Sequence, residues 1–231
     1  MIKDNIFKIR QRIALACSQS GRSAGDISVV AVTKGRNIDQ IKEVVAAGIT
    51  DIGENRVQEA LIKYNQLTAY SLQLTAIKWH MVGHLQTNKA KDAVGIFDLI
   101  QSVDSLRLAQ EIDKQAAWIN KIQDILIEIK TSPESTKSGL KPDEAVGVIK
   151  DMAKLKNINI QGLMTIAPLV DNPEKARPYF RILRELRDKI NALAVTRNPL
   201  PVLSMGMTDD FEVAIEEGAT MLRLGRAIFG D

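Results

Sequence analysis

Ser204-Met205-Gly206-Met207-Thr208 and Arg223-Leu224-Gly225-Arg226 each join a short apolar run to a stretch of helical period. A glycine turn ahead of a helix aims free backbone N–H groups at an anion, and where these turns fall along the chain decides between two α/β architectures. Counting back, the apolar runs Ser28–Thr33, Thr50–Gly53, Lys78–Val82, Phe97–Gln101, Asp124–Ile129, Asn159–Thr165, Val202–Ser204 and Met221–Leu224 read as eight strands. Between them lie the helical intervals Ile38–Ala47, Arg56–Tyr64, Asn88–Val94, Ser105–Ile119, Pro142–Lys154, Glu174–Ala194 and Asp209–Glu217. Strict alternation implies parallel strands with right-handed crossovers. Eight such units in 231 residues favour a single (β/α)8 TIM barrel, a fold of roughly 250 residues, with an extra N-terminal helix from about Asp4 to Ser20. A doubly wound open sheet is the rival, but it usually carries its glycine turn after the first strand. Here the turns follow strands seven and eight, where barrels commonly place a phosphate site.

Composition narrows the function classes. The chain is 45% hydrophobic, and its 31 basic and 28 acidic side chains alternate without forming a block, leaving a formal charge of +3. That balance offers no nucleic-acid or membrane surface. Met1-Ile2-Lys3-Asp4-Asn5 lacks the apolar core of a signal peptide, and no apolar run approaches the roughly 18 residues of a spanning helix. The single cysteine, Cys17, excludes an internal disulfide, fits a reducing cytoplasm and is read as a packing residue. No linker divides the chain, so residues 1–231 are expected to form one domain. The polar stretch Thr131–Gly139 reads as one βα loop at the catalytic face, and Asn65–Ala76 as a solvated excursion or a cover for the mouth.

Lys34 ends the first strand run, where an amine can be desolvated enough to act as a Schiff-base nucleophile. One such lysine with two phosphate-type turns suggests pyridoxal 5'-phosphate (PLP). Thr208 is placed to cap the following helix, leaving Ser204 and the Gly206 backbone to approach a ligand. Asp209 and Asp210 must then point outward, because carboxylates in that turn would repel a phosphate. Gly225 permits close backbone approach, and Arg226 adds a positive charge or reaches into solvent. Arg223, two residues before Gly225, needs a partner inside an apolar mouth. A pyridine nitrogen can be that partner, and a permanently protonated arginine would leave the ring a poor electron sink. Asn55 is either a polar contact or a helix cap, and Gly83 to Lys89 either caps a helix or lines the mouth. His80 and His84 lack the helical spacing and glutamate of a zinc motif, so no metal is expected.

These residues carry a resemblance. Val30-Ala31-Val32-Thr33-Lys34, Gly53-Glu54-Asn55-Arg56-Val57-Gln58-Glu59, Trp79-His80-Met81-Val82-Gly83-His84-Leu85-Gln86-Thr87-Asn88-Lys89, Lys137-Ser138-Gly139, Gly162-Leu163-Met164, Ser204 to Asp210 and Arg223 to Gly230 together resemble the YggS/PROSC family of PLP homeostasis proteins, nearly end to end. The resemblance implies a barrel like the N-terminal domain of alanine racemase, with Lys34 as the aldimine lysine. It further implies phosphate contacts from Ser204, Gly206, Thr208, Gly225 and Arg226, and a pyridine contact from Arg223. Thr208 stands where serine is usual, and Arg226 where a small or hydroxyl residue is common.

A racemase needs acid–base groups on both faces of its substrate, and one lysine serves only one face. In the alanine racemase pattern the second group is a tyrosine from another domain, which a chain closing on Ile228-Phe229-Gly230-Asp231 is expected to lack. The reading is therefore a non-catalytic cytoplasmic PLP carrier, monomeric, that buffers the cofactor or hands it to apo-enzymes, with Lys137 a candidate second amine for transfer. The competing readings are a racemase-like enzyme using water or His80 as second base, and a regulatory protein acting through a partner.

Overall fold

The structure is a computed structural model that describes residues 1–70, 77–134 and 138–230. Eight parallel strands, β1 (Ser28–Val32), β2 (Asp51–Glu54), β3 (Lys78–Met81), β4 (Leu99–Val103), β5 (Gln123–Glu128), β6 (Ile158–Met164), β7 (Val202–Ser204) and β8 (Met221–Leu224), pair in sequence order. The ring closes where β8 pairs with β1, Val30 lying opposite Arg223. The helices α2 (Ile38–Ala46), α3 (Val57–Tyr70), α4 (Ala90–Ile96), α5 (Leu106–Trp118), α6 (Pro142–Met152), α7 (Arg177–Ala192) and α8 (Phe211–Glu216) form the crossovers, and a short α9 (Arg226–Phe229) follows β8.

Side-chain alternation along each strand sorts residues to the two faces. Val29, Ala31, Ile125, Ile127, Leu222 and Leu224 point outward into one large core beneath the helices. Val30, Val82, Leu99, Leu126, Met164 and Met221 form a separate apolar cluster inside the ring. The same inward parity assigns His80, Gln101, Ser204 and Arg223 to the interior, so polar residues share the barrel's centre with aliphatic ones.

The additional helix α1 (Ile2–Gln19) buries Ile2, Ile6, Ile9, Ile13, Ala16 and Cys17, spaced three or four apart on one face. Each isoleucine so buried contributes about 1.5–3 kcal/mol. Asn5 Nδ2 donates to the Ile228 carbonyl, tying α1 to α9. Cys17 is buried and unpaired, as its packing role requires, and burial pushes its thiol up.

Most boundaries differ from the sequence reading by a few residues at most, and two of the differences have a clear packing cause. α3 runs on to Tyr70 because Leu67, only 2% exposed, continues the face that buries Val57 and Ala60. That absorbs the first half of the stretch read as irregular; residues 71–76 lie outside those described. β4 starts at Leu99 because the buried Phe97 serves instead as the C-cap of α4. No described helix is long and apolar enough to cross a membrane.

Candidate functional site

A cavity of about 310 Å³ opens at the C-terminal end of the barrel, the end where barrel loops gather functional groups. Its walls include Lys34 after β1, Asn55 after β2, His84 after β3, Glu128 ending β5, Met207 after β7 and Arg223 within β8. The fold thus brings Lys34, Asn55 and Arg223 together from widely separated positions in the chain.

Lys34 sits in a turn closed by the Arg36 N–H donating to the Thr33 carbonyl at 2.9 Å, with Gly35 at φ +68°. The lysine is exposed, so the chain alone does not desolvate its amine as the sequence reading expected. What the chain does is fix the turn. Lys63 of α3, buried, donates to the Thr33 carbonyl, Glu54 Oε1 and Glu59 Oε1, each at 2.7 Å. Glu59 also accepts from the Gly35 N–H at 2.6 Å, and Thr33 Oγ1 donates to Glu54 at 2.5 Å. Both peptide groups flanking Lys34 are therefore held by one buried ionic cluster.

Arg223 is 4% exposed and donates to Ser204 Oγ at 2.6 Å and to the Thr165 carbonyl at 2.7 Å. Desolvation pulls its guanidinium down to about 10, against the attraction of Glu128 and Asp210. Glu128 is pushed up to about 7 by burial and then by Asp104, with Arg223 opposing. The sequence reading did not single out Glu128. Its signal was present: as the next inward residue after Leu126, two positions on, it puts a carboxyl at the mouth end of β5.

The two glycine turns lie side by side. The Gly206 carbonyl accepts from the Arg223 N–H, and Thr208 Oγ1 accepts from the Ala227 N–H at 3.2 Å. Gly206 has φ +95°, and a Cβ there would come within 2.7 Å of the Ala214 Cβ. Gly225 is different: among the described residues, its chain neighbours aside, a Cβ would meet nothing closer than 3.6 Å, so packing among them does not explain this glycine. Gly83 packs on Asn55, whose carbonyl oxygen would lie 2.4 Å from an added Cβ.

Four expectations change here. Thr208 does not cap α8, because its hydroxyl is spent joining the two turns; Asp210 occupies the cap position without a side-chain capping bond. Asp209 points outward and pairs with Arg226, but Asp210 turns in, 7% exposed, and accepts from the Met207 N–H at 2.6 Å. Burial raises the Asp210 carboxyl above the ordinary carboxylate range, partly offset by the Met207 N–H and Arg223. Ser204 is fully buried, its hydroxyl committed to Arg223 and Gln101 rather than open to the turns. His80 is also buried, between Asp51 and Gln101 inside the barrel, and does not line the mouth. His84 does, bonded to Asp104 and Ser138. No group of three or more described His, Cys, Asp or Glu side chains could hold a metal ion. Lys137 lies outside the described residues.

The model for the alanine racemase N-terminal domain matches residues 6–231. A pyridoxal phosphate homeostasis protein of Aquifex aeolicus is 42% identical over 228 residues, covering 99% of this chain and 97% of that protein. The chain belongs to the pyridoxal phosphate homeostasis protein family. PipY of Synechococcus elongatus, solved with PLP bound, superposes with a TM-score of 0.86 at 32% identity over the full length of both chains. Alanine racemase of Clostridium difficile shares the fold, with a TM-score of 0.74 at 16% identity, covering all of this chain and 56% of the racemase.

Proposed function

We propose that the barrel mouth holds PLP through Lys34 and that the protein serves cytoplasmic PLP homeostasis, buffering or delivering the cofactor without turnover. The observation that carries this is the meeting of an exposed lysine amine and a buried arginine in one cavity beside two glycine turns. The residues present fit the cofactor. Two of the five guanidinium N–H groups of Arg223 have partners among the described residues, which leaves donors for a pyridine nitrogen, an acceptor. The open space over Gly225 and the paired turns at Gly206, Thr208 and Arg226 suit a phosphate. Asn55 supplies a polar contact on the facing wall. Ser204 we assign to holding Arg223.

When bound, PLP supplies an aldehyde that combines reversibly with amines. Lys34 provides the resident amine, held in place through Thr33 and Gly35. The cationic Arg223 keeps a proton off the ring nitrogen. That limits electron withdrawal and suits a carrier more than a catalyst. Tyr64 and Tyr179, on α3 and α7, are not among the residues that line the cavity. The amine's exposure lets competing amines reach it, as delivery to apo-enzymes requires.

One observation favours a second reading. Glu128 places a carboxyl that titrates near neutrality in the cavity, and such a group can serve as a general acid or base. A racemase-like enzyme is therefore the alternative.

Both readings meet in one experiment: absorbance spectra of the PLP-loaded protein before and after borohydride, peptide mapping, and incubation with D- and L-alanine. The expected outcome is a yellow species reduced onto Lys34, lost in Lys34→Ala, with no amino-acid turnover. Turnover abolished by Glu128→Gln would establish the alternative, and a missing adduct would overturn the cofactor site.

A further inference from the structure

Arg223 is the top of a hydrogen-bonded chain that runs down the inside of the barrel. Its NH1 group donates to Ser204 Oγ at 2.6 Å, and Ser204 Oγ donates to Gln101 Oε1 at 2.6 Å. Gln101 Nε2 lies 2.9 Å from His80 Nδ1, and His80 Nε2 lies 3.0 Å from Asp51 Oδ1. The members come from β8, β7, β4, β3 and β2. Asp51 lies at the opposite end of the barrel, at the start of β2, where its side chain is 24% exposed and lines a separate cavity beside α1.

The donor and acceptor roles are fixed in one direction. The arginine only donates, so Ser204 must accept from it and pass its own hydrogen to the amide oxygen of Gln101. The amide nitrogen then donates to His80 and, with its second hydrogen, to the Met221 sulfur at 3.2 Å. Turning the amide over would place its oxygen on the sulfur and remove the acceptor that Ser204 needs. His80, accepting at Nδ1, carries its hydrogen at Nε2 and donates it to Asp51. Burial pushes the Asp51 carboxyl up, but the His80 bond, the charge of Lys78 and the Thr50 hydroxyl together outweigh it and leave the group below the ordinary carboxylate range. Every donor in the chain points towards that carboxylate.

We propose that Gln101, with His80 and Asp51 behind it, positions Arg223: the chain fixes the rotation of the guanidinium, so that its remaining N–H groups face the ligand in the mouth. Ser204, His80 and Gln101 are buried, hence the chain transmits orientation without exchange with solvent. A disturbance at Asp51, on the far side of the barrel, reaches the Arg223 guanidinium through four hydrogen bonds, and the ligand's ring through a fifth. The ligand-binding half of this proposal rests on the PLP reading above; the guanidinium half does not.

The test uses the full chain with 15N-labelled arginine and no ligand, followed by PLP titration. In the parent protein, two fixed partners slow rotation about the Arg223 Cζ–Nη bonds and its Nη–H signals are resolved. Gln101→Leu and Asp51→Leu are expected to broaden or shift those signals and to weaken PLP binding about three- to tenfold, the worth of one hydrogen bond. Asp51→Asn keeps an acceptor for His80 and is expected to leave both readouts near the parent's. Should Gln101→Leu fail to fold, Asp51→Leu decides, since its site is at the solvent edge. Unchanged Arg223 signals in Asp51→Leu overturn the proposal. So does an equal effect in Asp51→Asn, which would assign the coupling to charge rather than to the chain of bonds. A parent protein that binds no PLP would remove the cofactor reading while leaving the guanidinium result to stand.

Discussion

The Lys63 ammonium lies 2.7 Å from Glu54 Oε1, and both side chains are almost wholly out of water, at 8% and 0% exposed. Placed beneath the turn that carries Lys34, this pair fixes where the reactive amine starts from. Its second carboxylate oxygen, Glu54 Oε2, has no partner among the described residues. Burial raises the Glu54 carboxyl, and the bonds from Lys63 and Thr33 only partly offset it.

Removing the cation should therefore be costly. Lys63→Met is expected to lower stability by about 3–5 kcal/mol near neutral pH, the usual result of stranding one member of a buried pair. The loss should shrink in mildly acidic solution, as Glu54 takes up a proton in the folded variant, and Glu54→Gln in the same chain should recover much of it. Urea denaturation at the two pH values measures this; a loss that does not vary with pH would show that Glu54 is not the stranded group.

Glu128 imposes a pH dependence of the opposite kind to a salt bridge. Its folded value of about 7 stands above the ordinary 4.5, so between those values the folded chain holds a proton that the unfolded chain has released. Stability must then fall as pH rises through that window, by up to about 3 kcal/mol. Glu128→Gln should flatten this slope, giving a variant that gains on the parent between pH 5 and pH 8 in thermal melts. Parallel melting curves would contradict the assignment.

Glu217 behaves conversely. It follows α8, is 4% exposed and receives Arg177, Arg181 and Arg184 of α7 at 3.3, 2.9 and 2.9 Å. Burial pushes its carboxyl up, but the bonds from Arg181 and Arg177 outweigh this and leave it below the ordinary range. Its contribution is present at neutral pH and lost as pH falls through the folded value. Because the arginines are partly solvated, Glu217→Gln should cost about 1–2 kcal/mol at pH 7, with the gap closing as pH falls below the ordinary carboxylate range. Chemical denaturation across that range checks the sign.

Gly206→Ala should be damaging for steric reasons alone. The backbone is left-handed at φ +95°, and the new methyl would sit 2.7 Å from the Ala214 Cβ and 3.1 Å from the Phe211 Cα. A loss of about 2–4 kcal/mol is expected, together with weaker binding of inorganic phosphate measured by calorimetry. Gly225→Ala, which meets no such contact, should keep its stability and lose only the anion.

The strand count and order were legible because each apolar run is a local signal: side chains alternate every two residues in a strand and every three to four in a helix. Even the inward direction of Arg223 follows from its parity with Met221. The motif residues Lys34, Asn55 and Arg223 could be named because strand ends and glycine turns announce themselves. Ser204 could be placed on the right strand, yet its hydroxyl was assigned to the turns when it serves Arg223 instead. Asp210 was expected to face outward, but its backbone neighbour Met207 offered an N–H on the inside.

What the sequence by itself determined is thus the alternating order of strands and helices, and with it the (β/α)8 class and the end of the barrel where the site must lie. Tertiary structure alone decided which side chains meet. Ser204 and Gln101 are 103 positions apart, Gln101 and Met221 are 120, and the register of ring closure sets Val30 against Arg223. Local periodicity tells each residue which face it occupies. Only closure of the ring tells it what stands opposite, because that partner is fixed by strand stagger summed around the whole barrel.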